Sequence, residues 1–279
     1  LFFPTPMGAL RPDGQPLPDS LRPKSLKKVQ FVSLGLYLRL TQGASMASQF
    51  ADVMELHRGS IWLLKDEAKD LPNGLRSNKQ ASIWEIEKRP RVSVGRYRSS
   101  SQLFHVGATQ FAPGCGLWFG VQWLMADSAT QNLFDLLLED LGEAGLGAER
   151  STGYGRAIFE KGVTMELPDP RPDGMWTTLS RYLPRPEEIT ALQNEKSAYR
   201  IETLGGWLDS PQIRGQRRRS LNLLSEGATL GPVPDASVPH GLIEKVHPIY
   251  QINGEKQNPV GHVVYRCGLA LAVGYGGKA

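Results

Sequence analysis

The stretch LPDPRPDG at residues 167–174 constrains the fold most strongly, because its three prolines and alternating charges interrupt helices and strands. Before it, the patterns run strand, helix, glycine-rich loop and strand; after it, a strand, helix and strand order begins again. This restart predicts two domains, residues 1–168 and 169–279. Hairpin-like strands with helices on one face predict an α+β fold, with two ferredoxin-like (RRM-like) βαββαβ domains.

Hydrophobic spacing predicts the elements of the first half. Apolar residues near helical spacing in residues 45–59 predict a short helix. Strand-like segments in residues 82–111, divided by Pro90, predict hairpins, and GLWFGVQWLM at residues 116–125 predicts a buried strand. The clearest helix begins at Ser128, which we expect to act as its cap, and its apolar stripe continues until Gly142.

The second half gives a similar set of predictions. Residues 175–183 and 199–208 have strand patterns, and residues 184–196 between them predict a helix with a proline in its first turn. Residues 217–230 and 261–273 predict later strands of the same domain.

Composition excludes some classes and favours others. No apolar run approaches the roughly 18 residues that span a bilayer, so we expect no membrane protein. Cys115 and Cys267 lie far apart without metal-ligand spacing, which fits a reducing cytoplasm. The 32 lysines and arginines exceed the 28 acidic residues, and the resulting charge of +4 mildly favours an anionic partner.

The glycine-rich stretch GLGAERSTGYGR at residues 145–156 is the first candidate binding site. Glycine lets backbone N–H groups approach an anion closely, and arginine can donate two hydrogen bonds to phosphate oxygens. Its spacing matches no nucleotide-binding signature, and a plain helix-to-strand connection explains it equally well. The candidate anion-binding residues here are Gly145, Gly147, Arg150, Ser151, Thr152, Gly153, Tyr154, Gly155 and Arg156.

Three further basic clusters are secondary candidates for phosphate contacts. The densest is RGQRRR at residues 214–219, for which a solvated edge strand protected by charge is an equal alternative. The candidate residues from these clusters are Lys27, Lys28, Arg91, Arg96, Arg98, Arg217, Arg218 and Arg219.

Catalytic and metal chemistry find little support in the sequence. The five histidines show no metal-binding spacing, and no GxSxG nucleophile motif is present. We therefore predict no enzyme activity, no metal and no cofactor.

Several segments in combination resemble the RAMP superfamily of CRISPR proteins. The resemblance is closest to the family of subunit four of the type III-A (Csm) effector complexes, in the Cas-five group. Thr5, Ala228 and Val263 depart from its common residues. The segments that carry it are residues 2–8, 26–34, 91–111, 145–156, 217–230 and 262–273.

This resemblance implies a non-catalytic subunit that holds the 5′ handle of the CRISPR RNA. It also implies contacts with the large polymerase-cyclase subunit and a backbone RAMP subunit, and indirect contact with target RNA. The hairpins before Arg98 would carry a thumb, and a first strand and helix would precede Phe2. The alternatives are a RAMP endoribonuclease that uses His57 or His105, and an RNA-binding module outside CRISPR immunity.

Overall fold

The computed structural model describes residues 1–10, 17–19, 21–76, 81–95, 100–124, 127–208, 210, 215–233, 240–252 and 254–276. These residues pack as two units, Leu1–Trp118 with Leu167–Ala279, and Phe119–Glu166. Helices and strands are both present, which confirms the α+β class. The division into two ferredoxin-like domains at residue 168 stays a prediction.

A four-stranded sheet forms the N-terminal part of the larger unit. Its strands are β1 (Phe2–Pro4), β2 (Phe31–Ser33), β3 (Val53–Leu56) and β4 (Ile61–Leu64), in the order β1-β2-β4-β3. Strands β2 and β4 are parallel, and helix α2 (Leu34–Thr41) follows β2 directly. Helix α1 (Pro23–Leu26) lies between β1 and β2 in the chain, and helix α3 (Asn73–Arg76) follows β4.

Glu67 joins the ends of three of these elements. Its carboxylate accepts hydrogen bonds from the Ser33 hydroxyl, from Gly35 N at 2.9 Å and from Leu64 N at 3.1 Å. Gly35 lies in the first turn of α2, where unpaired N–H groups and the helix dipole favour a carboxylate. Glu67 therefore fixes α2 against β2 and β4.

The helix predicted over residues 45–59 is wrong. Phe50–Asp52 forms one turn of 3-10 helix, and β3 begins at Val53. Val53 lies opposite Leu64, and Leu56 opposite Ile61, in the antiparallel β3–β4 pair. Pairing with a fully buried strand decides the structure here, because short apolar runs fit both periodicities.

A long hairpin follows, formed by β5 (Trp84–Val94) and β6 (Ser101–Phe111). The register runs unbroken from Trp84 opposite Phe111 to Val94 opposite Ser101. The predicted break at Pro90 is therefore wrong, since a two-stranded ribbon leaves each strand a free edge where proline is tolerated.

The remaining strands lie in the C-terminal part of the larger unit. Strand β7 (Met175–Thr178) lies between β10 (Thr229–Leu230) and β15 (Ala272–Tyr275) in one sheet. Trp176 and Tyr182 form the centre of the core there, and Trp176 Nε1 donates to Gly231 O at 2.8 Å. The other pairs are β8 (Ile201–Leu204) with β9 (Leu221–Leu224), β11 (Gly241–Lys245) with β14 (Tyr265–Leu269), and β12 (Tyr250–Ile252) with β13 (Glu255–Gln257).

Most of the predicted C-terminal elements are confirmed, with one difference in type. The predicted helix at residues 184–196 is a 3-10 helix, Pro186–Gln193. The buried Glu188 carboxylate accepts from Tyr182 Oη at 2.8 Å and from Gly241 N at 3.0 Å. This carboxylate holds the 3-10 helix against the neighbouring strands.

Backbone hydrogen bonds connect the two sequence-distant parts of the larger unit. Met7 N donates to Gly227 O at 2.8 Å, and Gly276 N donates to Thr41 O at 2.8 Å. Gly227 has φ +81°, and a Cβ there would lie 2.4 Å from Thr5 O. Glycine is therefore required where the N-terminal segment meets the turn after β9.

The smaller unit contains α4 (Ser128–Ala144), the helix predicted most clearly. Its cap is Asp127, not Ser128: Asp127 Oδ1 accepts from Thr130 N at 2.8 Å. The strand predicted over residues 116–125 is wrong, since its described part, residues 116–124, forms no strand and Leu117 is 78% exposed. No helix of the described residues is both long and apolar enough to cross a bilayer.

Candidate nucleic-acid interface

Arg217 and Trp207 form a mixed cationic and aromatic surface on the larger unit. The two residues face each other in an isolated antiparallel bridge, and the Arg217 guanidinium carbon lies 4.6 Å from the centre of the Trp207 ring. The indole remains 60% exposed. Such an arrangement orients the guanidinium by cation–π attraction and leaves aromatic surface for a further planar group.

Arg218 lies against Gly206. Its backbone N donates to Gly206 O at 2.9 Å, and a Cβ on Gly206 would lie 2.9 Å from the Arg218 guanidinium. Gly206 also has φ +123°, a conformation that favours glycine. The double glycine before Trp207 therefore leaves the space that Arg218 occupies.

Arg219 has acidic and backbone partners. Its guanidinium pairs with the Glu244 carboxylate and donates to Lys245 O at 2.9 Å. Its backbone N donates to Val246 O at 2.8 Å, which places this arginine beside the end of β11. Among the residues that the structure describes, an ion pair compensates the charge of Arg219 but not that of Arg217 or Arg218.

Arg266 on β14 extends this basic surface. Burial, and after it the charges of Arg218 and Arg181, lower the pKa of Arg266. The guanidinium stays charged, but its neighbours repel it. We call Arg217, Arg218, Arg219 and Arg266, together with Trp207, the arginine surface.

The glycine loop lies in the smaller unit, where α4 ends. Gly145 N donates to Leu141 O, and Leu146 N donates to Gly155 O, both at 2.8 Å. A Cβ on Gly155 would lie 1.8 Å from Leu146 O, and one on Gly145 would lie 2.8 Å from Tyr154 O. Close approach of two backbone segments explains these two glycines, so the connection alternative accounts for the base of the loop.

The tip of the loop is open. Gly147 and Gly153 have φ +101° and +86°, and a Cβ on either would meet nothing within 4 Å. Arg150–Thr152 forms a 3-10 turn, and Thr152 Oγ1 donates to Glu149 O at 2.8 Å. Tyr154 is half-buried, while the exposed predicted residues are Gly147, Arg150, Ser151, Thr152, Gly153, Gly155 and Arg156. Anion binding at this tip stays a prediction.

The other predicted basic residues occupy separate elements. Lys27 and Lys28 are exposed on the turn after α1, before β2 begins, and neither side chain forms an ion pair within the described part of the chain. Arg91 is half-buried on β5, opposite Phe104. Arg96, Arg98 and Arg214 lie outside the described residues.

The histidines named for the endoribonuclease alternative differ in environment. His57 Nδ1 accepts a hydrogen bond from Ile83 N at 3.1 Å, and its ring stacks on Trp84 at 3.9 Å. Burial and the charge of Arg58 lower the pKa of His57. His105 is exposed on β6. Over the residues with described positions, no cluster of three His, Cys, Asp or Glu could hold a metal ion.

Two residues of the arginine surface, Trp207 and Arg266, are absent from the sequence-based candidates. The double glycine directly before Trp207 was the available signal, since glycines beside an aromatic residue often mark a close approach of other groups. Arg266 was a lone arginine among apolar residues, and only the β11–β14 pairing brings it near the arginine-rich segment.

Known proteins resemble this chain in sequence over its C-terminal part and in fold over most of its length. Residues 172–275 match the family model of the CRISPR Csm4 C-terminal domain, which is less than half of the chain. Solved structures with the same fold include a chain of the "Csm3-Csm4 subcomplex in the type III-A CRISPR-Cas interference complex", with a TM-score of 0.57 and 15% identity. The match covers 98% of this chain and 79% of that chain. No curated protein matches the sequence.

Residues 172–275 are thus similar to the C-terminal domain of Csm4, and the chain shares its fold with a solved chain of a type III-A Csm3-Csm4 subcomplex. The C-terminal part of the chain is in this sense Csm4-like. The resemblance found in the sequence is thereby confirmed.

Proposed function

We propose that this protein is a non-catalytic RNA-binding subunit of a cytoplasmic type III-A CRISPR ribonucleoprotein. It holds the 5′ handle of the CRISPR RNA, links the large polymerase-cyclase subunit to the backbone RAMP subunits, and meets target RNA only indirectly. The observation that carries this proposal is the arginine surface, because it lies wholly within the segment that matches the Csm4 C-terminal domain.

The chemistry of the arginine surface suits single-stranded RNA. Such RNA offers phosphates to guanidinium groups and unstacked bases to aromatic rings. In this proposal the exposed Trp207 indole stacks on a base, and its cation–π contact with Arg217 orients the guanidinium above the ring. Guanidinium groups also remain charged at every physiological pH, so binding should depend on salt and not on protonation.

The glycine loop supplies a second set of contacts in this proposal. Its tip presents Arg150 on exposed backbone with the left-handed glycines Gly147 and Gly153, which permits close approach of an RNA strand, and Arg156 is exposed where the loop ends. Lys27, Lys28 and Arg91 add exposed or half-exposed charge on other elements.

The partner assignment rests on the structural likeness. The similar solved chain comes from a subcomplex of Csm3 and Csm4, so a backbone RAMP subunit is the first partner that we assign to this protein. The polymerase-cyclase subunit is the second.

Native mass spectrometry of the complex, purified through a tag on this protein, tests the proposal. We expect one copy of this protein for each RNA, together with several copies of a backbone subunit. A free monomer without RNA would contradict the proposal. Incubation of the isolated protein with repeat RNA should give binding without cleavage, whereas metal-independent cleavage that is lost in His105→Ala would establish the endoribonuclease alternative.

A further inference from the structure

We propose that a groove beside the turn between β3 and β4 binds one unstacked nucleotide of a single-stranded RNA. The groove, which we call the turn groove, has a volume of about 950 Å³, and its lining includes Phe50, Met54, Glu55, Arg58 and Lys65. This inference rests on the proposed function, since the nucleotide is taken to belong to the bound RNA. It goes beyond that function because it assigns a site outside the segment that matches the Csm4 C-terminal domain.

The turn itself holds two left-handed residues that are not glycine. His57 has φ +49° and Arg58 has φ +59°, and no other non-glycine residue with a described position has a positive φ. A Cβ makes this conformation costly, so glycine or asparagine is the usual residue there. Such a cost persists where another interaction offsets it, and residues of this kind are concentrated at binding sites.

Contacts within the protein account for His57 but not for Arg58. His57 Nδ1 accepts a hydrogen bond from Ile83 N at 3.1 Å, and its ring stacks on Trp84. The Arg58 side chain is exposed, and it forms no ion pair or hydrogen bond with the residues that the structure describes. A phosphate bound by the guanidinium supplies the interaction that the protein itself does not provide.

The 3-10 turn Phe50–Asp52 positions the second cation of the groove. Lys65 Nζ donates to Ala51 O at 2.5 Å and keeps two further N–H donors. The carboxylate of Asp52 in the same turn pairs with Arg39 of α2 at 3.3 Å. Lys65 is therefore held at the groove before a ligand binds, while the nearest acidic residue of that turn is engaged elsewhere.

The remaining lining suits a base. Phe50 and Met54 are half-buried and form an apolar wall, and the Phe50 ring lies 5.8 Å from the Trp62 ring, measured between their centres. Glu55 supplies an acceptor for the amino group of a base, and its carboxylate would repel an acidic peptide. An apolar wall with one acceptor and two cations therefore fits a nucleotide better than a peptide.

Arg58→Gly tests the turn groove, because glycine relieves the left-handed strain and removes the guanidinium at the same time. The urea midpoint of unfolding should rise, whereas the affinity for octauridine RNA should fall about tenfold, the effect of one charged hydrogen-bonded contact. The slope of log affinity against log salt should decrease in magnitude by about 0.7, as expected for one phosphate of a single strand. Arg58→Ala should lower the affinity equally but should not raise the midpoint, since it keeps the Cβ.

A second variant tests the base. Phe50→Leu keeps the apolar wall but removes the ring, so it should weaken binding of octauridine more than binding of an abasic octamer of equal charge. Equal weakening of both ligands would mean that the groove takes no base and would overturn the assignment to a nucleotide.

Controls separate this inference from the proposed function. Lys196→Ala removes an exposed charge on another segment and should leave the salt slope unchanged. Unchanged octauridine binding in Arg58→Gly would overturn the turn groove and leave the proposed function intact, and so would a lower urea midpoint, which would give Arg58 a structural role. Retained RNA binding with loss of a backbone subunit from the purified complex would show that the groove binds protein and would also overturn it. Failure of the wild-type protein to bind any RNA would overturn both proposals.

Discussion

The arginine surface and the glycine loop contain similar residues but are built differently. On the arginine surface, side-chain contacts orient the cations: Trp207 lies under Arg217, Gly206 makes room for Arg218, and Glu244 holds Arg219. In the glycine loop, backbone contacts close the base, Arg150 lies on the exposed tip, and Arg156 is exposed directly after the base.

Glycine therefore has a different structural role in each of the two regions. Gly145 and Gly155 are required by backbone packing whether or not an anion binds. Gly206, in contrast, lies against the flexible end of the Arg218 side chain, and its φ of +123° itself favours glycine. Oriented groups lose less conformational freedom on binding, so we expect the arginine surface to contribute more to RNA affinity.

The largest expected effect comes from removing each set of arginines. The triple variant Arg217→Ala, Arg218→Ala and Arg219→Ala should lower RNA affinity about 100-fold, and Arg150→Ala with Arg156→Ala about tenfold. Filter binding with repeat RNA at several salt concentrations measures both. A larger loss of RNA affinity in the loop variant would mean that the glycine loop, and not the arginine surface, contributes more to binding.

Two glycine substitutions test whether backbone packing shapes the base of the glycine loop but not its tip. Gly155→Ala forces a Cβ against Leu146 O at a positive φ, and should lower the free energy of unfolding by about 2 kcal/mol or more. Gly147→Ala meets open space and carries only the left-handed penalty of about 1 kcal/mol. Urea unfolding of the two variants measures this difference, and equal effects would mean that backbone approach does not shape the base of the loop.

The aromatic platform can be tested apart from charge. Trp207→Ala should weaken binding of single-stranded RNA by about 1 to 3 kcal/mol, the usual contribution of one stacked base. Trp207→Phe should retain most of this affinity. Because stacking needs a base, Trp207→Ala should weaken binding of an abasic oligonucleotide less than binding of the matching intact oligonucleotide. An equal loss of affinity for both ligands in Trp207→Ala would indicate that Trp207 only supports Arg217.

The smallest effect concerns pH, because neither surface depends on a histidine. RNA affinity should stay constant between about pH 6 and 8, since guanidinium groups do not titrate there. Stability should behave differently, because His57 accepts a hydrogen bond from Ile83 N and its pKa lies below the usual value of about 6.5. Its stabilising contribution is complete above that value and is lost as the pH falls. In His57→Asn, thermal unfolding at pH 5 and 7.5 should differ less than in the wild type, and an equal difference would exclude this role for His57.

Sequence patterns predicted the elements best where local signals and tertiary contacts agree. Helix α4 has a sustained apolar stripe, and β7, β8, β9, β14 and β15 combine β-branched or bulky apolar residues with turn signals at their ends. The helix expected at residues 45–59 failed because pairing with buried β4 outweighed the helical spacing of a short segment. The strand expected at residues 116–125 failed because an apolar run forms a strand only when another strand pairs with it.

The candidate site was predictable in composition but not in arrangement. The run of arginines at residues 217–219 was visible in the sequence, and the structure gives Arg217 and Arg219 different partners, Trp207 and Glu244. Arg266 follows them by almost fifty residues, so only the pairing of β11 with β14 brings it to the same place. Which arginines are already neutralised, as Arg219 is by Glu244, likewise depends on contacts between distant segments.

Sequencing of the nucleic acid that co-purifies with this protein tests the central claim most directly. The complex would be isolated through a tag on this protein, and the RNA 5′ ends would be mapped for the wild type and for the triple arginine variant. The account predicts RNAs that share one repeat-derived 5′ sequence, strongly depleted in the variant. RNA of random sequence, or repeat-derived RNA recovered equally with both proteins, would contradict it.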